Sequence, residues 1–327
     1  MKLNKQPTFF ILGVQRSGTT LLRLMLNAHP QIAIPEEATF FMPIINGQDL
    51  RSSNPVKFEK REAFLSYLNE NYQFQKWGIS SGAIRESLSE DSTWKEIFTN
   101  TYQVFAEKHK KPIYGDKTPS FIRKINILAD VFPSAKFIHI VRDGRDIYLS
   151  MQSRKKPFTY SAAISAIEWL IKLKFIAGLQ DKYTNRFLEI KYEALLENPT
   201  FFLIQICEFI GISYDPIMLD FWKTSQQYID QQHSNLIFSP VNKQNIAKWK
   251  TEMSIDDRQV YVAIAQKKLQ KLGYTTTDEK ISIFNYANAL LQLVFFTPIR
   301  VTKILWTAMY MKIASSLGLS TSSRFYS

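Results

Sequence analysis

The chain has 327 residues, 45% of them hydrophobic and 14% aromatic, with 41 Lys and Arg against 29 Asp and Glu for a net charge of +12. The apolar fraction is ample for a sizeable core, no Gly/Ser-rich or Pro-rich linker divides the chain, and a single cysteine excludes any intrachain disulfide. The positive balance points to anionic partners, whether a phosphorylated cofactor, an acidic acceptor, nucleic acid or a membrane surface, and charge by itself does not choose among them.

No apolar signal region precedes the first strand pattern, which reads as the absence of an export address and fits a reducing cytoplasm. Short apolar or β-branched runs predict strands at Thr8 to Val14, Pro112 to Gly115, Lys136 to Val141 and Arg186 to Lys191, with a further short run at Ile32 to Pro35. Helical patterns follow at Thr19 to Ala28, Thr118 to Phe132, Asp146 to Arg154 and Pro199 to Ile210, and residues 57 to 110 and 160 to 181 read as further helices. Gln226 to Gln244 reads as a polar loop before a helix from Ser254 to Leu272. Cys207 sits in an apolar run and reads as a buried thiol. Alternating strands and helices predict an α/β fold, a P-loop-like doubly wound parallel sheet flanked by helices. In such sheets ligands sit beyond the carboxyl ends of the strands, so the residues just after each strand carry the functional information.

The first strand runs into Gly13-Val-Gln-Arg-Ser-Gly-Thr-Thr20 and then a helix. Two glycines at P-loop spacing let successive N–H groups curl around an anionic oxygen at a helix N-terminus, where the macrodipole is positive. The Walker A lysine is replaced by Thr19 and the fixed cation is Arg16, which favours a ligand with a 5′-phosphate over a magnesium nucleoside triphosphate. After the strand at 136 to 141 comes Arg142, with Ser150 and Arg154 four residues apart on one helix face. Two guanidinium groups and a hydroxyl form a fork for a dianion, although the same block also fits a solvated helix start with Asp143 and Asp146 paired locally.

These pieces resemble the sulfotransferases that use 3′-phosphoadenosine 5′-phosphosulfate (PAPS), most closely the branch containing tyrosylprotein sulfotransferases. The resemblance runs from Phe9 to about Tyr274 and rests on the loop just quoted, Leu26-Asn-Ala-His-Pro30, Pro35-Glu-Glu37, Gly115-Asp-Lys-Thr-Pro119, Phe132-Pro-Ser-Ala-Lys136, the Arg142 to Arg154 block, Lys191-Tyr-Glu-Ala-Leu195, Ser239-Pro-Val-Asn242 and Lys248-Trp249. It implies that Arg16, Ser17, Gly18, Thr19 and Thr20 bind the 5′-phosphosulfate and that Arg142, Ser150 and Arg154 bind the 3′-phosphate. Tyr192, the loop Ser239, Pro240, Val241 and Asn242, and Lys248 would close over the nucleotide. Family correspondence puts the general base at Glu36, with Glu37 a structural neighbour; a carboxylate is the simplest base for an acceptor hydroxyl. Lys117 and Arg16 would stabilise charge developing on the transferred group, so no metal is implied. None of His29, His109, His139 or His233 has the context of a base, and His139 reads as a core residue.

The arginines that follow the acid pair in the tyrosylprotein branch are replaced here by Ala38-Thr-Phe-Phe-Met-Pro43, which implies an apolar acceptor wall. The expected acceptor is therefore a hydroxyl on a small molecule, lipid, carbohydrate or tyrosine, with no nucleic-acid partner. Two other readings stand beside this one: a P-loop kinase or NTPase with Asp143 as a magnesium ligand, and a nucleotide-binding scaffold without catalysis.

Residues 1 to 275 would form the catalytic domain and residues 276 to 327 a helical extension. Ile281 to Ile299 are nineteen residues without a charge, followed by Arg300, Lys303 and Lys312. Ser282, Asn285, Asn288 and Gln292 form a polar stripe at helical spacing and Pro298 interrupts the run, so the segment reads as an amphipathic helix. Packing on the domain or on a partner ranks ahead of peripheral contact with a membrane surface, and a true span ranks third. A homodimer is compatible with either.

Overall fold

Five strands form one parallel sheet: β1 (Phe9–Leu12), β2 (Ile32–Ala33), β3 (Ile113–Asp116), β4 (Lys136–Val141) and β5 (Phe187–Lys191), in the order β2-β3-β1-β4-β5. This architecture comes from a computed structural model that describes residues 7–47, 49–153, 160–225, 235–276 and 281–316. Alternation along β1 explains its central place. Phe10 and Leu12 enter one core with Phe137 and Tyr114, while Phe9 and Ile11 enter a second core with Ile138 and Ile140 on the opposite face. All four β1 side chains are buried, so helices must cover both sides of the sheet.

The covering helices are α1 (Thr19–Ala28), α2 (Trp94–Lys108), α3 (Gly144–Gln152), α4 (Ala162–Lys182), α5 (Pro199–Ile210), α6 (Ile255–Lys271) and α7 (Ile283–Ser316), with shorter helical turns between them. Their ends follow local chemistry. Thr93 and Glu96 form a capping box at the start of α2, and Ser254 caps α6 by accepting from Asp257 N. Asp143 caps α3 by accepting from Arg145 N, so that helix begins at Gly144 and Asp146 falls in its first turn. A third core of Val14, Val141, Trp169, Trp249 and Tyr261 ties α3, α4 and α6 to the carboxyl end of the sheet.

Of the loop expected at Gln226 to Gln244, residues 226–234 lie outside the described residues and Asn235–Phe238 is a 3-10 turn. The strand and helix expectations hold to within a few residues at their ends, save one. The helix expected from Thr118 to Phe132 is a 3-10 segment at Pro119–Lys124 followed by an α-helix at Ile125–Val131. Pro119 forces Thr118 into an extended conformation, and the Thr118 hydroxyl is bonded to Asp116 at 2.8 Å. Cys207 is buried as expected, its thiol raised to about 11 by burial.

Every strand points the same way, so the segments after β1, β2, β3, β4 and β5 gather at one edge. β1 lies between β3 and β4, with Phe10 opposite Asp116 and Leu12 opposite His139. The chain order reverses around this central strand, which is where doubly wound sheets open a crevice for ligands.

Candidate active site

The loop after β1 is shaped to admit an anion. Gly18 has φ 98° and stands at the N-cap of α1 without any side-chain cap, leaving the positive end of the helix to an external acceptor. Any Cβ at Gly18 would collide with the Tyr192 ring, and one at Gly13 would collide with Ser17 Oγ and Thr19 Cγ2. Ser17 Oγ is buried and has no hydrogen-bond partner among the described residues. A buried hydroxyl left unpaired beside an uncapped helix start fits a missing anionic oxygen. Arg16 takes φ 73°, which turns its side chain across the loop.

Arg16 joins the two anion groups expected from sequence. Its Nε donates to Ser150 Oγ at 3.0 Å, and its carbonyl accepts from Arg142 Nη1 at 3.0 Å. Arg142 is buried beyond β4, with its guanidinium 4.5 Å from the Tyr192 ring centroid and Nη2 donating to Asn245 O at 2.8 Å. Its Nε has no partner among the described residues, which fits a donor to an anionic oxygen. Burial raises the Tyr192 phenol above its usual range, so it stays neutral over Gly18. Arg154 lies outside the described residues.

The closing segment is less uniformly gathered. Ser239, Val241 and Asn242 are half-buried and Pro240 is exposed, with Asn242 Oδ1 accepting from Gln244 N at 3.2 Å. Lys248 pairs with Glu252 at 3.2 Å. Sequence reasoning missed what holds this segment. Asp146 accepts from Ala247 N and Trp249 N, both at 2.9 Å, and lies 4.0 Å from Arg142. Burial raises its carboxyl above the usual range, Arg142 opposing the shift. Arg145, fully buried, is bonded twice to Asp143 and stacks 3.4 Å from the Trp249 ring centroid. The four-residue spacing of Arg142 and Asp146 carries the signal for this contact, which the reading of a solvated, locally paired helix start does not use.

The two acids after β2 are held in different ways. Glu36 is paired with Arg23 of α1 at 2.7 Å, with side-chain exposures of 10% and 1%. Glu37, with 35% of its side chain exposed, accepts from Lys117 Nζ at 2.6 Å, and Lys117 is itself buried at the end of β3. A buried relay fixes this pairing. Ala38 N donates to Thr118 Oγ1 at 2.8 Å, while Thr118 Oγ1 and Tyr102 OH donate to Asp116 Oδ2 at 2.8 and 2.7 Å. Burial raises Asp116 to about 6, against the lowering effect of those two hydroxyls and Lys117. Asp116 and Tyr102 were absent from the sequence reading because only folding brings α2 against β3.

The expected apolar acceptor wall is corrected. Phe40 and Phe41 are fully buried and pack on Phe74, Trp77 and Phe98, so they belong to the core beneath the site. His139 is a core residue paired with Glu189 at 2.9 Å, whereas His233 lies outside the described residues. Among the described residues no cluster of His, Cys, Asp and Glu could hold a metal ion.

Residues 7–216 match the model of the sulfotransferase family. The chain belongs to that family. Protein-tyrosine sulfotransferase 1 of Danio rerio is 28% identical over 287 residues, covering 82% of this chain and 72% of its own. Protein-tyrosine sulfotransferase A of Caenorhabditis elegans is 27% identical over 277 residues, covering 82% and 67%. In fold, this sulfotransferase is similar to the sulfotransferase domain of the Synechococcus olefin synthase, with a TM-score of 0.55 at 22% identity over 84% of this chain and 97% of that one. The sulfotransferase is therefore an enzyme of group transfer, and the kinase or NTPase reading is set aside.

Proposed function

We propose that this sulfotransferase moves a sulfuryl group from PAPS to the hydroxyl of an alcohol or phenol, with Glu37 as the general base. The observation that carries this reading is the 2.6 Å pair of Glu37 and buried Lys117, fixed at the end of the strand next to the anion-shaped loop. When bound, PAPS supplies the sulfuryl group, whose bond to the phosphate oxygen breaks as the bond to the acceptor oxygen forms, leaving 3′-phosphoadenosine 5′-phosphate (PAP). The open Ser17 hydroxyl and the first N–H groups of α1, with Thr19 and Thr20, take the 5′ end. Arg142 Nε and Ser150 take the 3′-phosphate, with Tyr192 over the loop.

We place the base at Glu37 in preference to the expected Glu36. Only 10% of the Glu36 side chain is exposed in its pair with Arg23, which leaves an acceptor hydroxyl little access to it. Glu37 is half open to solvent and can receive the acceptor proton while Lys117 turns its charge to the transferred oxygens. Arg16, bonded to Ser150, contributes a second fixed cation.

Two measurements test this reading. Calorimetry should show PAP binding preferred over adenosine 5′-phosphate, and labelled PAPS should transfer its label to a simple phenol or to a simple primary alcohol. Equal affinity for the two nucleotides, or PAP binding without transfer to either acceptor class, would overturn it.

A further inference from the structure

α7 meets its own protein along a stripe led by polar side chains and turns most of its apolar surface outward. Asn285 Nδ2 donates to Gln259 Oε1 of α6 at 2.9 Å, Gln292 Oε1 accepts from Ala163 N of α4 at 3.2 Å, and Gln292 Nε2 donates to Asn288 at 3.3 Å. Among the described residues of α7 only Ala289 is buried, at 4% exposure, with Leu293 half-buried against the third core beside it. Ile283 and Phe284 are 79% exposed, and Leu290, Leu291, Val294 and Phe295 are 62 to 68% exposed. At about 100° per residue these six side chains span roughly 140° of the helix, opposite the docked stripe. A helix folded in water buries the apolar side, so this orientation needs a nonpolar neighbour.

We infer that this face lies on an anionic lipid bilayer, with α7 in the plane of the surface. The sequence of α7 carries Arg300, Lys303 and Lys312 and no Asp or Glu, which complements acidic headgroups. A second copy of the chain would bring two such cationic segments together, which disfavours a symmetric pairing through this face. The helix has 34 residues, about 51 Å at 1.5 Å per residue, yet among the described residues no helix is long and apolar enough to cross a membrane. Its hydrogen-bonded side keeps it parallel to the surface, because spanning would strip Asn285 and Gln292 from their partners.

The inference stands on the tail alone and does not depend on the reaction. Full-length protein is sedimented with vesicles of phosphatidylcholine, alone or mixed with phosphatidylglycerol. The mixed vesicles should capture it and the neutral ones much less. A variant carrying Leu291→Glu, Val294→Glu and Phe295→Glu should lose vesicle binding at least about tenfold with an unchanged thermal midpoint, and Arg300→Glu with Lys303→Glu should lose about tenfold on anionic vesicles only. Binding indifferent to lipid charge, or a concentration-dependent dimer abolished by the triple variant while vesicle binding persists, would overturn it.

Discussion

Arg16 Nε donates to Ser150 Oγ across 3.0 Å, joining the loop after β1 to the helix after β4, although the two residues are 134 positions apart. One cation thereby serves both ends of the proposed nucleotide site. Replacing Ser150 with Ala would remove the proposed contact to the 3′-phosphate, while Arg142 still holds the Arg16 carbonyl in the loop. A typical hydrogen bond contributes about 1 kcal/mol, so PAP affinity should fall about fivefold to tenfold while adenosine 5′-phosphate affinity changes little. Calorimetry with both nucleotides reads this, and equal losses would separate Ser150 from the 3′ end.

Arg142 should discriminate more strongly. Its Nε is a buried donor without a partner among the described residues, whereas Nη1 and Nη2 are committed to Arg16 O and Asn245 O. A hydrogen bond to a charged group is worth about 1.5–3 kcal/mol, so Arg142→Ala should weaken PAP by roughly tenfold to a hundredfold beyond any loss for adenosine 5′-phosphate. Melting temperatures accompany the titration, because losing the bonds to Arg16 and Asn245 also loosens the 245–249 segment.

The two acids after β2 predict phenotypes that differ in turnover. Glu37→Gln removes the proton acceptor and leaves buried Lys117 without its carboxylate, so turnover should drop about a hundredfold or more with PAP binding intact, alongside some loss of stability. Glu36→Gln leaves Arg23 as an uncompensated buried charge and should cost about 3–5 kcal/mol of stability. Urea unfolding and single-turnover rates distinguish the two, and wild-type turnover in Glu37→Gln would return the base role to Glu36.

Local signals made the sheet, the loop and the strand-end cations legible in the sequence. Gly13 and Gly18 announce the cradle because only glycine fits where Ser17, Thr19 and Tyr192 close in, and Arg142 announces itself by ending an apolar strand. The division of labour between Glu36 and Glu37 was not legible. It depends on Arg23 lying twelve and thirteen residues back from Pro35 and Glu36 on α1, and on Lys117 arriving from β3, which are tertiary facts. The burial of Phe40 and Phe41 was missed for the same reason, since an apolar run after a strand looks alike whether it lines a cleft or fills a core. On α7 the stripe was visible but its direction was not, because periodicity records two faces without saying which one touches the protein.

Gly18 offers a prediction from backbone geometry. Its φ of 98° is costly for any residue with a Cβ, and the added methyl would push Tyr192 off the loop. Gly18→Ala should lose at least about 1–2 kcal/mol of stability from the backbone alone, with weaker PAP binding as Tyr192 is displaced. An unchanged melting temperature together with unchanged PAP affinity would show that the loop relaxes without Tyr192.

Asp116 makes stability depend on pH in an unusual direction. Burial raises its carboxyl from 3.8 to about 6, so between those values the folded chain holds a proton that the unfolded chain has released. Stability from this group is therefore fully present below pH 3.8 and is lost as pH rises through about 6, by roughly 3 kcal/mol in all. Asp116→Asn cannot titrate, so relative to wild type its stability should climb by about 2 kcal/mol between pH 4 and pH 6, and by about 3 kcal/mol in all before levelling near pH 7. The absolute offset is set separately, because an amide presents one acceptor oxygen where Tyr102 OH and Thr118 Oγ1 share Asp116 Oδ2. Urea titrations of both proteins at several pH values isolate the slope from that offset, and parallel pH profiles would show that Asp116 is ionised throughout.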